Sequence, residues 1–137
     1  MITKKTNKLP AGVNARNWPG FIKIRPDLPQ FAAIWAQEAY EASWKLNPIN
    51  MLRFLFSREA RIDMEIMGHE IEVQAALRFY GADADKRRHE EARALLSYGD
   101  FRKHTYAEIY DKLAGVEKKA DKWVVDHAGD IRKMMKR

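Results

Sequence analysis

Residues 57–81 read SREARIDMEIMGHEIEVQAALRFYG, and the character of this stretch settles the class of fold open to the chain. Ser57 suits a helix N-cap, Gly81 suits a left-handed stop, and no proline stands between them. Ile62, Ile66, Val73 and Leu77 fall on one apolar stripe at helical spacing, with Met64, Met67 and Ile71 on an adjacent one. A helix apolar around so much of its girth needs neighbours on several sides, so it is expected as the central element of a helical domain.

The helical period continues on both flanks. Phe31, Ile34, Trp35, Ala39 and Ala42 predict a helix that ends at Leu46-Asn47-Pro48, because Pro48 disfavours helical geometry at Asn47. Met51, Leu52, Phe54, Leu55 and Phe56 make a short apolar segment, with Pro48 where a helix can begin. Beyond Gly81, Asp83 or Asp85 opens a helix running through Ala92, Leu95 and Leu96, and Thr105 with Glu108 forms a capping box before Ile109, Tyr110 and Leu113. Val116, Ala120, Trp123, Val124, His127, Ile131 and Met134 or Met135 predict one last amphipathic helix. Phe21 to Arg25, between Pro19-Gly20 and Pro26, fits a strand; Val13 to Arg16 or another chain would supply its partner. The expected class is mainly α (α+β), with five or six helices and one or two short N-terminal strands.

The 137 residues hold 25 Lys and Arg against 19 Asp and Glu, a formal charge of +6, and no cysteine. Lack of cysteine excludes disulfides, a thiol nucleophile and Cys-based metal sites. The excess charge lies at the ends. Lys4, Lys5 and Lys8 face no acid within residues 1–8, residues 112–137 carry eight bases against four acids, and the body between them is nearly neutral. Residues 1–17 have no periodic apolar face and are expected as a flexible basic arm, with 18–137 as a single helical domain. No apolar run is long enough for a leader or a membrane span, so a soluble product with no membrane partner is expected.

Two helices carry polar stripes on otherwise apolar faces. Gln37, Glu38 and Glu41 cluster on the first, and Glu65, His69 and Glu72 stand at steps of four and three on the central one. If those faces meet, the cluster could hold a divalent cation through Glu41, Glu65 and His69, or be neutralised by Lys45, Arg58 or Arg61. Other chemistry is poorly supported: there is no glycine-rich phosphate loop, Ser43, Ser57 and Ser97 lack a nucleophile elbow, and Glu65 to His69 is four residues where a di-iron bundle uses three. A stacking platform for single-stranded nucleic acid needs aromatics interleaved with cations on strands, and one strand supplies only Phe21 beside Lys23 and Arg25.

The order FIKIRPD, then QEAYE within a helix, then LNPINMLRFLFSREARIDMEIMGHEIEVQAA, resembles the small zincin-like proteins of tailed bacteriophages over roughly residues 20–80. In that family an IxIRPD-like strand precedes a His-Glu-x-x-His helix, and a later helix adds a glutamate. The resemblance implies that Glu38 stands at the general-base position and Glu65 at the third metal ligand, with Gln37 and Glu41 in place of both histidines. An amide and a carboxylate hold zinc far more weakly than two imidazoles. The implied protein is therefore a non-catalytic virion component (capsid, neck or tail) in the particle or host cytoplasm, with no cofactor expected. It would contact other phage structural proteins or itself through Lys4, Lys5, Lys8, Trp123, Arg132, Lys133, Lys136 and Arg137. The alternatives are a divalent-metal hydrolase using Glu38 as base, with Glu41, Glu65 and His69 as ligands, and a small nucleic-acid-binding protein using the basic termini.

Overall fold

Among residues 1–136, which the computed structural model describes, three strands are followed by seven α-helices. The strands are β1 (Ile2–Lys5), β2 (Ala15–Trp18) and β3 (Phe21–Ile24). They form one sheet in the order β1-β3-β2, with β1 parallel and β2 antiparallel to β3. The helices are α1 (Phe31–Leu46), α2 (Pro48–Phe56), α3 (Arg58–Tyr80), α4 (Ala84–Leu96), α5 (Tyr106–Gly115), α6 (Glu117–Asp126) and α7 (Ala128–Met135), with a 3-10 turn at Gly99–Phe101 between α4 and α5. The mainly α class with a small sheet holds; the counts exceed the expectation by one strand and one helix.

The extra strand lies in the stretch read as an arm. Residues 1–17 contribute β1 and most of β2, and the loop between them is held by Arg25, whose guanidinium donates to the carbonyls of Asn7, Leu9, Pro10 and Val13 at 2.8–3.1 Å. β1 has the sequence ITKK, with only Thr3 half-buried, so no apolar alternation announces it. Its anchor is polar: Trp35 Nε1 donates to Thr3 Oγ1 at 2.9 Å. The β2–β3 hairpin turns through Gly20 at φ 71°, where tight hairpins need a left-handed residue, and the Gly20 N–H is tied to the Ala42 carbonyl of α1.

Capping follows the sequence. Asn47 accepts from Ile49 and Asn50, Ser57 from Ala60 and Asp83 from Lys86; Thr105 and Glu108 form the reciprocal box, and Gly81 closes α3 at φ 64°. The last amphipathic stretch is broken at His127 into α6 and α7. Its apolar stripe, through Ala120, Val124 and Ile131, is fully buried, so it closes the core.

α3 is central, as its girth requires. One side of it, with α1, α6, α7 and the inner sheet face, encloses a core around Ile22, Ile24, Phe31, Trp35 and Ile71. Its N-terminal half, with α4, α5 and the 3-10 turn, encloses a second around Ile62, Leu95, Phe101, Ile109 and Leu113. Alanines at 32, 33, 36, 39 and 42 keep α1 thin where it meets its neighbours.

α4 buries only Ala92 and Leu95 among its apolar residues and is held to α3 by charge. Arg88 forms a bidentate pair with Glu70, itself 0% exposed, at 2.6 and 2.9 Å, while Arg87 bonds Glu72, Glu91 and Gln30. α2 packs loosely by comparison. Its Ile49, Leu52, Leu55 and Phe56 all lie exposed, Phe56 at 84%, beside the exposed Leu46 at the end of α1. No helix among the described residues is long and apolar enough to cross a membrane.

Candidate functional site

α1 and α3 meet through their polar stripes, so all six residues singled out on spacing lie in one region, five of them buried and Glu65 half-buried. Gln37, Glu38 and Glu41 come from α1; Glu65, His69 and Glu72 come from α3. The two helices approach closely enough that a Cβ on Gly68 would stand 2.4 Å from Glu41 Oε2, so glycine at 68 makes room for that carboxylate. A cleft of about 320 Å³ opens beside it, bordered by β2, Lys45, Phe54 and Tyr98, and a second of about 490 Å³ adjoins over His69, Glu72 and Glu91.

Hydrogen bonds run through the cluster as a chain. Lys45 Nζ donates to Asn17 Oδ1 at 2.8 Å, and Asn17 Nδ2 donates to Glu38 Oε2 at 2.6 Å and Glu41 Oε1 at 3.0 Å. Gln37 Nε2 bonds Glu41 Oε2 at 3.2 Å and faces His69 Nε2 at 3.1 Å. On the other side of the ring, His69 Nδ1 meets Glu91 Oε2 at 2.5 Å, and Glu91 and Glu72 share Arg87. Glu91 is thus a carboxylate behind a histidine, an arrangement that fixes ring orientation and leaves Nε2 aimed at Glu41 and Glu65.

The electrostatics are those of carboxylates crowded out of water. Burial, with repulsion from Glu65, pushes Glu38 up to about 7 against the hydrogen bond from Asn17. Burial and then the charges of Glu65 and Glu38 carry Glu41 well above the usual range, and burial followed by Glu91 does the same to Glu72. Burial would also raise Glu91, yet it falls to about 2, because a hydrogen bond from Glu72 and the charges of His69 and Arg87 outweigh that cost. For His69, burial favours the neutral ring, but Glu91 and Glu65 overcome it and favour the imidazolium. The assigned Gln37 amide orientation, with Nε2 toward the ring, suits the neutral tautomer protonated on Nδ1. The imidazolium requires Gln37 to turn its Oε1 inward. The carboxylate field favours the second arrangement.

Five carboxylates (Glu38, Glu41, Glu65, Glu72 and Glu91) face three cations: Lys45, Arg87 and protonated His69. Two negative charges are left over. Protons on raised carboxyls such as Glu41 and Glu72 neutralise that excess, and so would one divalent cation. Donor atoms of Glu41, Glu65 and His69 lie within 4.8 Å of one another, a span that fits ligands of one ion. Two carboxylates and one imidazole fit an oxygen-preferring cation such as Mn2+ better than the histidine-rich set of a zinc peptidase, since Gln37 offers no lone pair on nitrogen.

Several expected partners are elsewhere. Arg61 pairs with Asp100 at 2.8 Å, and Lys45 reaches the carboxylates only through Asn17. Lys4 and Lys5 stand on β1, and Lys8, Arg132, Lys133 and Lys136 are exposed, with Arg132 over the Phe79 ring; Arg137 lies outside the described residues. Trp123 is half-buried, edge-on to Tyr40 and stacked on His127. Asn17, Arg87 and Glu91 belong to the site without having been singled out. For Glu91 a signal existed: Arg88, Glu91, Ala92 and Leu95 share one helical face. No family model matches the chain, and no curated protein or solved structure matches it.

Proposed function

We propose that this chain is a zincin-like phage protein without peptidase activity, serving as a structural or interaction component of a virion. The observation that carries the non-catalytic part is Asn17, whose amide donates to both Glu38 and Glu41 where a peptidase would need a water beside its general base. Gln37 then engages both Glu41 and His69, so the side chains standing where a zinc centre needs open ligands are bonded to one another. The phage and virion parts rest on the resemblance of residues 20–80. The interaction part draws support from α2, whose outward apolar side chains suit contact with another protein subunit. The deciding experiment is peptide turnover with Zn2+ or Mn2+ for the wild type and Glu38→Gln. The expected result is none for either; turnover in the wild type that disappears in Glu38→Gln overturns the proposal.

One observation favours the divalent-metal hydrolase as a second reading: the mutual reach of the Glu41, Glu65 and His69 donors. In that case these three residues hold the cation, Lewis-acid activation of water is what it supplies, and Glu38 takes the proton once Asn17 swings aside. Calorimetric titration with Mn2+ separates the readings, because one-to-one binding lost in Glu65→Gln is expected only of the second.

A further inference from the structure

The sheet has one face on α1 and one facing solvent. Ile22 and Ile24 are fully buried, Thr3 bonds Trp35, and Asn17 bonds the carboxylates, which places these side chains on the inner face. Alternation puts the neighbouring residues outside. The register then aligns them in two rows across the strands: Lys4, Lys23 and Arg16 in one, and Ile2, Phe21 and Trp18 in the other.

Neither row contains an acid, and no strand has one. Trp18 is 41% exposed, its ring centroid is 5.6 Å from that of Phe21, and Lys23 Nζ lies 5.6 Å over the Trp18 ring. Like charges directly opposite across strands work against pairing. Lysine on an edge strand is an ordinary guard against aggregation, which accounts for Lys4 and for Arg16. It does not account for Lys23, on the central strand between the other two. A row of cations beside a row of rings matches a chain of phosphates that carries flat bases alongside.

We infer that the outer face of the β-sheet binds single-stranded nucleic acid, with Trp18 and Phe21 stacking bases and Lys4, Lys23 and Arg16 meeting phosphates. This site is separate from the α2 ridge and from the basic C-terminal helix, while Arg16 and Trp18 at its β2 edge also border the cleft beside the carboxylate cluster. Duplex is a poor fit, because paired bases do not present their faces to the rings.

The test is fluorescence anisotropy with labelled oligo-dT and oligo-rU of about 15 nucleotides, a length within ordinary single-strand site sizes. Three phosphate contacts give a slope of log K against log salt near about −2. Trp18→Ala is expected to weaken binding about five-fold or more, by loss of one stacked base. Lys23→Glu should weaken it and flatten the slope, and Trp18→Phe, which keeps a ring, should stay close to the wild type. Circular dichroism checks that each variant is folded; Lys4→Glu and Arg16→Glu, on exposed edge positions, serve if Trp18→Ala is not. The inference is overturned if neither oligonucleotide binds at low salt or duplex binds as tightly. It also fails if Trp18→Ala and Lys23→Glu are silent while Arg132→Ala, Lys133→Ala and Lys136→Ala together abolish binding. The dT and rU arms show whether DNA or RNA is preferred.

Discussion

Replacing Gly68 with alanine sets two physical effects of known size against each other. In an exposed helix the change stabilises by about 1 kcal/mol, because glycine has the greater backbone freedom to lose. Here the new Cβ would lie 2.4 Å from Glu41 Oε2 and 3.2 Å from its Cδ and Cγ, so the carboxylate must retreat by about 1 Å to reach ordinary contact. A carboxylate at the end of a side chain usually moves at little cost. This one is 3% exposed and held by Gln37 at 3.2 Å and Asn17 at 3.0 Å. Overpacking costs about 1–3 kcal/mol, and loosening a hydrogen bond to a buried carboxyl adds about 1 kcal/mol. Gly68→Ala is therefore expected to destabilise by about 1–3 kcal/mol in urea unfolding followed by far-UV circular dichroism, with the m-value unchanged. In a Glu41→Ala background the obstruction is gone, and the same change should stabilise by about 1 kcal/mol. The double-mutant cycle then yields a coupling of about 2–4 kcal/mol. If Gly68→Ala stabilises in both backgrounds equally, Glu41 does not occupy the space assigned to it.

Other substitutions address the rest of the network. Glu38, pushed up to about 7 from an ordinary 4.5, binds its proton in the folded state over a range where the unfolded chain has released it. Stability from this group therefore falls as pH rises from about 4.5 through about 7, by up to about 3 kcal/mol, and Glu38→Gln should remove that part of the slope; an unchanged pH profile would refute the assignment. Glu91→Gln leaves His69 and Arg87 without their shared carboxylate, so a loss of about 3–5 kcal/mol and a lower His69 titration midpoint by NMR are expected. If the His69 midpoint stays where it is, Glu91 is not what holds it up. Arg25→Ala should free residues 7–13 to proteolysis with a loss of about 1.5–3 kcal/mol, and resistance equal to the wild type counts against the four-carbonyl clasp.

What the sequence disclosed, it disclosed through local rules. Ser57, Gly81, Asn47-Pro48 and the Thr105–Glu108 box mark helix ends because caps involve residues only a few positions apart. The strand at Phe21 was legible between its breakers; its partner, expected at Val13 to Arg16 or from another chain, proved to be Ala15–Trp18, two residues further on. β1 was hidden, since ITKK pairs with a strand well downstream and buries almost nothing of its own. The break at His127 was hidden too: apolar spacing runs straight through it, and His127 Nδ1 meets the Trp123 carbonyl at 2.8 Å inside an unbroken stripe. In the site, the stripes on α1 and α3 were readable from period alone. Asn17 and Arg87 were not, because each reaches the cluster from an element whose own pattern says nothing about where that side chain goes.

α4 has consequences for how the molecule comes apart. Judged by the grease it buries, it should be the first helix to peel away, and its amides the quickest to exchange. Arg87 and Arg88 grip α3 on two flanks, however, and any partial departure would strand the fully buried Glu70 without its counter-charge and take Arg87 from Glu72. There is no inexpensive halfway position for such a clamp. α4 should therefore leave only when α3 does, so the most polar helix of the bundle reports the cooperative unfolding of the whole molecule.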